Sequence, residues 1–331
     1  MSTMRDVAER AGVSAKSVSR VLRDDKYVSE SVRSRVLAAV EELHYVPNTL
    51  AVSFRAGRDT AIGVAVPDLA DPFFAEAVQA IEAVARQRGA AVLVSSIGYD
   101  KEREHEAIEP LLHRQVSGLI VCPVASDQSY LRRWEKRIPL MFIDRAPRHL
   151  NADVVVQDDA SGARDAVEHL VKEGHRRVAF IGDDPVIATG VDRLRAYRET
   201  LQSHSLPFDE SLVIYDEADG AHIQDKLHDV RDTADPPTAI FCSNARTALV
   251  TIPALRQLDW GGVALVSFGD FPLSSQLDPP VCVIDQDPRG LGQFAATRVF
   301  DRLDHPHRRF RRRTVMPVRL LDRGGCGLQR S

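Results

Sequence analysis

Cysteine is scarce: the 331-residue chain has four, Cys122, Cys242, Cys282 and Cys326, none of them in a CxxC pair. That excludes a disulfide scaffold, and the first three sit in or beside apolar runs, so they read as reduced core thiols. Long hydrophobic runs are missing too, since nothing approaches the roughly 18 uninterrupted apolar residues of a spanning helix. The opening MSTMRDVAERAGV has no basic-then-apolar export pattern, so a soluble cytoplasmic protein with no membrane partner is expected. Catalytic signatures are equally absent: there is no GxSxG, Walker A, HExxH or GxGxxG, and nothing sets a nucleophile beside a base. His305-x-His307 has no further ligand at a suitable spacing and reads as a solvated basic turn leading into RRFRRR (308–313). Neither enzyme activity nor a cofactor or metal is expected.

An excess of charge of one sign is lacking as well. With 43 Lys/Arg against 47 Asp/Glu the net charge is −4, so the protein is no polycation and any nucleic-acid surface must be local. Residues 1–58 hold ten Lys/Arg against seven Asp/Glu, a balance of +3, which leaves −7 for the remainder. The first sixth of the chain is electrically different. A content of 44% hydrophobic and 27% charged residues excludes disorder, and the length exceeds one compact core, pointing to two or three domains.

The periodicity of residues 3–45 is wholly helical. Thr3 is placed to cap a first helix, with Asp6 three positions on, and Gly12 to stop it. Ser14 then opens Ala15–Leu22, where Val18, Val21 and Leu22 fall at helical spacing while Lys16, Ser17, Ser19 and Arg20 face elsewhere. A third helix starts near Ser29 and turns Val32, Val36, Val40 and Leu43 inward. Such a trihelical unit is a helix-turn-helix. Residues 46–58 form a short hinge segment, marginal as an isolated helix.

From Ala61 the texture changes to short apolar runs separated by amphipathic helices. Strands are expected at 61–66, 90–95, 118–122, 140–143, 153–157, 177–181, 212–215, 238–242, 263–268 and 281–284. This alternation implies parallel sheets covered on both faces, and some 270 residues is too many for one sheet, so two doubly wound lobes are expected. Their cleft, at the carboxyl ends of the strands, is the expected ligand site.

RDVAERAGVSAKSVSRVL, YVSESVRSRVLAAVEELHYVPN, GVAVPDLADPFF, FIDR (142–145), AVEHLVKEGHRRVAFIG (166–182), DRLRAYRETL (192–201) and PLSSQLDPPV (272–281) together resemble the LacI/GalR family of bacterial transcription regulators over nearly the full chain. The resemblance implies a small all-α helix-turn-helix head at 1–45, a hinge at 46–58, and a periplasmic-binding-protein-like core at 59–331. Its N-lobe would take about 59–157 and 285–312, and its C-lobe about 158–284 and 313–331. It implies a homodimeric repressor of palindromic operator DNA, governed by a small, sugar-like effector. A solute-binding protein of the same two-lobed fold is the alternative, though it has no use for the head.

Within that resemblance Ala15, Lys16 and Arg20 take the base-reading positions. Lys16 and Arg20 can donate to guanine O6/N7, and Ala15 offers a methyl to thymine. Thr3, Ser14, Ser17, Ser19 and Tyr27 suit phosphate oxygens. In the hinge, Phe54 stands where the family wedges an apolar side chain into the minor groove, with Asn48, Ser53 and Arg55 on the flanking backbone; packing of Phe54 on the regulatory domain is the alternative. The effector positions implied are Phe73, Phe74, Asp144, Arg145, Arg193, Tyr215, Asn244 and Asp270. Ala245 and Gly269 stand where carboxylates are usual, which points to a less hydroxylated or more anionic effector, or to lost small-molecule control. The ending GGCGLQRS carries no leucine heptad, so no coiled-coil tetramer is expected.

Overall fold

The structure, a computed structural model, describes residues 3–22, 25, 27–45, 60–183, 185, 187–215 and 223–327. The chain divides into two compact units, Met1–Asp59 and Thr60–Ser331. Hinge positions Asn48, Ser53, Phe54 and Arg55 lie outside the described residues.

In the first unit, α1 (Met4–Ala11) opens on a reciprocal capping box: the Asp6 N–H donates to Thr3 Oγ1 at 3.3 Å and the Thr3 N–H donates to the Asp6 carboxylate at 2.7 Å. Gly12, at φ 61°, ends it in the left-handed conformation that a side chain would strain. Two residues later Ser14 Oγ accepts the Ser17 N–H at 3.1 Å and starts α2 (Ala15–Leu22). The third helix, α3 (Glu30–Glu42), follows Ser29. All three pack on one small core of Val7, Ala8, Ala11, Val18, Val21, Val36 and Ala39, with Val32, Val40 and Leu43 partly buried around it.

The second unit runs β1 (Ala61–Val66), α4 (Pro72–Gln87), β2 (Ala91–Ser96), α5 (Arg103–His113), β3 (Gly118–Val121), β4 (Leu140–Ile143), β5 (Asp153–Gln157), α6 (Asp159–Lys172), β6 (Val178–Gly182), α7 (Ala188–Ser203), β7 (Val213–Tyr215), α8 (Ile223–Arg231), β8 (Ala239–Cys242), α9 (Ala245–Gln257), β9 (Ala264–Phe268), β10 (Cys282–Asp285), α10 (Pro288–Asp304), β11 (Arg313–Met316) and β12 (Arg319–Leu321). Ten of these strands fall within a residue or two of the expected positions. With β11 and β12, which were not expected, they form two six-stranded sheets, in the orders β11-β5-β4-β3-β1-β2 and β12-β10-β9-β8-β6-β7. All pairings are parallel except β12 with β10. Without its outermost late strand, each sheet has the doubly wound order 2-1-3-4-5, whose switch point opens a crevice at the carboxyl ends of the strands. Among the described residues no helix is long and apolar enough to cross a membrane.

The inner strands of each sheet are buried on both faces, as crossover helices require. In the first lobe, one face packs Ile62, Val64, Met141 and Val155 under α4 and α10, and the other packs Leu119, Phe142 and Val154 with Ile108 and Leu111 of α5. Gly292 lets α10 approach α4 closely: a Cβ there would lie 2.3 Å from the Ala77 carbonyl oxygen. In the second lobe the two faces are filled by α6 with α7 and by α8 with α9.

The chain crosses between lobes three times, and here the expected boundaries need correction. Residues 313–316 belong to the first lobe, because β11 pairs with β5 from Arg313↔Val154 to Met316↔Gln157. The last crossing therefore lies between Met316 and Arg319. Within RTVMPVRLL (313–321), Pro317 separates β11 from β12, and edge pairing places the two in different sheets. The first two crossings, at 157–159 and 285–288, are joined by buried amides: Gln286 Nε2 donates to Gln157 Oε1 at 2.7 Å, and Gln157 Nε2 donates to the Gln286 carbonyl at 2.5 Å.

Candidate functional site

On the head, the first turn of α2 contains no acidic residue, so its positive dipole end is not neutralised locally. Ser14, Ala15 and Lys16 are exposed there, with Ser17, Ser19 and Arg20 half-buried. Arg20 is already engaged: its Nε donates to Asp25 Oδ2 at 2.8 Å, which orients the guanidinium. Asp25 is held below the usual carboxylate range by that bond and by the Tyr27 N–H. The Tyr27 side chain projects fully into solvent, 89% exposed. Thr3 is less free than its sequence position implied, because its hydroxyl donates to Asp6 at 2.9 Å within the capping box. Likewise the Ser14 and Ser17 hydroxyls bond each other at 2.9 Å.

In the second unit, six of the eight effector positions come together. Phe73, Phe74, Asp144, Arg145, Arg193 and Asn244 line one cavity between the lobes, of about 30 Å³. That holds about two water molecules. Strand ends place most of these groups: Asp144 and Arg145 follow β4, with Asp144 at φ 65°, and Asn244 follows β8 and caps α9. Phe73 and Phe74 meet edge-on at 5.1 Å and are also part of the first-lobe core, so they serve both purposes.

The arginines differ in what they have left to offer. Arg193 is 4% exposed and donates from Nε (2.8 Å) and Nη2 (2.6 Å) to Asp159, and from Nη1 to the Ser243 carbonyl (2.6 Å), with its guanidinium over the Phe268 ring at 3.7 Å. Burial pushes the Asp159 carboxyl up to about 6 against the pull of Arg193. Arg145 is also buried, yet its Nε makes no hydrogen bond: it is 3.3 Å from Asp144 Oδ2 at too bent a geometry, while Nη1 donates to the Pro123 carbonyl at 3.2 Å. A buried donor left unmade costs about 1–3 kcal/mol, which a ligand acceptor would recover.

Two positions do not join this cavity. Tyr215 ends β7 and is 38% exposed, and Tyr99, following β2, lines the cavity instead. Asp270 lies beside a neighbouring cavity of about 280 Å³ that shares Phe73 and Gln286. Its carboxylate is held by Arg323 at 2.6 Å and by the Ser274 hydroxyl at 2.5 Å.

Ala245 lines the cavity without a carboxylate, yet the cavity is not poor in them. Asp71 and Asp183 line the cavity with Asp144. Asp183, at the end of β6, accepts from Asn244 Nδ2 at 2.5 Å and from Arg246, whose guanidinium lies 5.4 Å from the centre of the Tyr99 ring across the cleft. At Gly269, φ 100°, a Cβ would meet Gln286 Oε1 at 2.6 Å, so a glutamine amide fills the space a carboxylate would need. The signal for Asp71 and Asp183 was their place just beyond strands β1 and β6, where doubly wound sheets bind ligands. Their convergence depends on the lobes meeting.

Asp71 caps α4 by accepting the Phe73 N–H at 2.9 Å. Burial, with Asp144 and Asp183 nearby, raises its carboxyl from 3.8 to about 6, so it carries a proton, and can donate it in a hydrogen bond, only below about pH 6. Because the folded value is the higher, the folded state binds the extra proton and stability falls as pH rises from about 4 through 6. Asp71→Asn keeps a cap but cannot ionise. Its stability relative to the wild type should rise by ~3 kcal/mol across that interval, measured by urea denaturation at several pH values. A constant difference would contradict the assignment. Asp159 titrates in the same window in both proteins and cancels.

A helix-turn-helix unit joined to a bilobed domain with a polar interlobe cavity defines a ligand-governed DNA-binding regulator. Residues 3–48 match the family described as "Bacterial regulatory proteins, lacI family", and 167–326 match the periplasmic binding protein-like domain. The HTH-type transcriptional regulator GalR of Salmonella typhimurium is 32% identical over 288 residues, 86% of this chain and 84% of that protein. The ribose operon repressor of Escherichia coli is 28% identical over 333 residues, 98% of this chain and 100% of that one. Among solved structures, the lac repressor dimer bound to operator and the anti-inducer ONPF superposes with a TM-score of 0.79 at 28% identity, covering 98% of this chain and 99% of that one. The chain belongs to the LacI family and is a transcriptional regulator, not an enzyme.

Proposed function

We propose that the protein is a homodimeric repressor that binds palindromic operator DNA through α2 and is controlled by a polyhydroxylated, sugar-like effector held in the interlobe cavity. The observation that carries this reading is the exposed Ala15–Lys16 end of α2 with Arg20 one turn on, a short-then-basic face of the kind that enters a major groove. A single head this small covers little DNA, and two heads on a two-fold axis read an inverted repeat; the relatives named as operon repressors and the lac repressor dimer on its operator support the same arrangement. In the cavity, carboxylates, arginines and the Asn244 amide alternate with aromatic edges, which suits hydroxyl groups better than a plain anion.

Selection of the full-length protein on a randomised duplex pool should enrich an inverted repeat. Affinity for it should fall linearly on a log–log salt plot, because released counterions accompany phosphate contact. No enrichment with or without added sugars, or a flat salt plot, would overturn the reading.

A further inference from the structure

A second cluster of reactive side chains lies in the second lobe, where Cys282 begins β10 at the end opposite the cleft. His169, from the last turn of α6, Cys282, and Cys326, beyond β12, are all buried, and their ligating atoms lie within 4.8 Å of one another. His169 is 8% exposed and its Nε2 has no hydrogen-bond partner, although it faces both sulfurs and stands 3.8 Å from Asp322 Oδ1. The same Asp322 oxygen is 3.5 Å from Cys282 Sγ. The Arg323 N–H donates to that sulfur at 3.4 Å, the outer-shell bond typical of a ligating thiolate. His175 Nε2, 2.8 Å from the Cys326 carbonyl oxygen, fixes the backbone there.

We propose that His169, Cys282 and Cys326, completed by Asp322, form a binding site for a thiophilic divalent cation of the zinc class. Two sulfurs, an imidazole nitrogen and one carboxylate oxygen match zinc's preferences and not those of magnesium or calcium. Donors around a tetrahedral zinc are about 3.4–3.8 Å apart at the usual bond lengths, so closing the His169–Cys282–Cys326 set from within 4.8 Å takes side-chain adjustments of about an ångström, with the Asp322 carboxylate swinging in from beside His169 and Cys282. A Cys282–Cys326 disulfide would use the sulfurs but leave His169 unpartnered. Asp322, with a half-exposed side chain, provides the entry path. Binding releases the thiol protons to solvent. The cation would tie together α6, β10 and the segment after β12, which follow or lead into the three crossings between lobes. The sequence reading took these cysteines as plain core thiols because the donors come from separated parts of the chain.

The test uses the full chain, stripped with a chelator under reducing conditions and titrated with cobalt(II) and then zinc. One equivalent per chain should bind, with the intense sulfur-to-cobalt charge-transfer absorption of a tetrahedral thiolate site. C282S and C326S should lose that absorption and H169Q should weaken it, while C242S keeps it. D322N, at a half-exposed side chain, should fold normally, retain the sulfur absorption and bind zinc about 10–100-fold more weakly. Absence of the absorption in the folded wild-type chain, its persistence in C282S, or a Cys282–Cys326 disulfide that forms whether or not zinc is supplied would overturn the proposal.

Discussion

Replacing Arg20 by alanine should lower affinity for the selected operator by about 10–100-fold while leaving binding to random duplex nearly unchanged. The asymmetry follows from the head's construction. Under the proposed reading, phosphate contacts, which set general affinity, come from other groups, whereas Arg20, its Nε held by Asp25, would offer its remaining donors to base edges. Its bond to Asp25 is made at the surface, where such pairs add little to folding, so the head should stay folded. The core of Val7, Val18, Val21 and Val36 does not include Arg20. Competition gel shifts against operator and scrambled duplex would measure this. Equal loss on both would reassign Arg20 to the phosphates, and no loss on either would remove it from the interface.

Arg193→Ala should have the largest effect on the regulatory unit, and the effect has two parts. Removing the guanidinium leaves Asp159 buried without its cation, which should cost about 3–5 kcal/mol of stability. It also withdraws the clamp on the Ser243 carbonyl and on Phe268, next to the cavity wall formed by Asn244 and Ala245, so any effector-induced rise in thermal midpoint should vanish as well. The double variant Arg193→Met with Asp159→Leu separates the two, because an apolar pair of similar volume restores packing without restoring charge. Recovered stability without a recovered ligand response is the expected result. Recovery of both would show that Arg193 only holds the lobe together. Calorimetry and urea denaturation of the three proteins are sufficient.

How far the sequence could be read depended on whether the physical determinants were local. The helix starts at Thr3 and Ser14 lay in plain view because each cap is a bond between residues three apart, and the stop at Gly12 because a left-handed turn favours glycine; Ser29 precedes α3 without a side-chain cap bond. The eight inner strands were legible because burial on both faces demands unbroken apolar runs such as Ile62–Val66, and the edge strands β2 and β7 because they too carry apolar runs between turn residues. Two strands were missed, since β11 and β12 are four- and three-residue edge strands that open on Arg313 and Arg319 and show little apolar run. Their sheet membership depends on β5 and β10, more than a hundred and about thirty residues earlier, respectively.

Of the positions family resemblance indicated, Phe73, Phe74, Asp144, Arg145, Arg193 and Asn244 line the cavity and Tyr215 and Asp270 do not, while Tyr99, Asp71 and Asp183, which it did not indicate, do. Position along a chain does not reveal which strand end a neighbouring lobe will face. Arg193 illustrates the difference: as a residue in DRLRAYRE it reads as a free cation for a ligand, whereas folding commits most of its donors to Asp159 and Ser243.

The sequence by itself determined the trihelical head, the doubly wound lobes and membership of the LacI family, because capping, periodicity and motif order are written in consecutive residues. Only the tertiary structure decided which carboxylates share the interlobe cavity, that the last crossing falls after Met316, and that His169 meets Cys282 and Cys326. Each of these depends on side chains from separate segments being desolvated together, and no local pattern records that meeting.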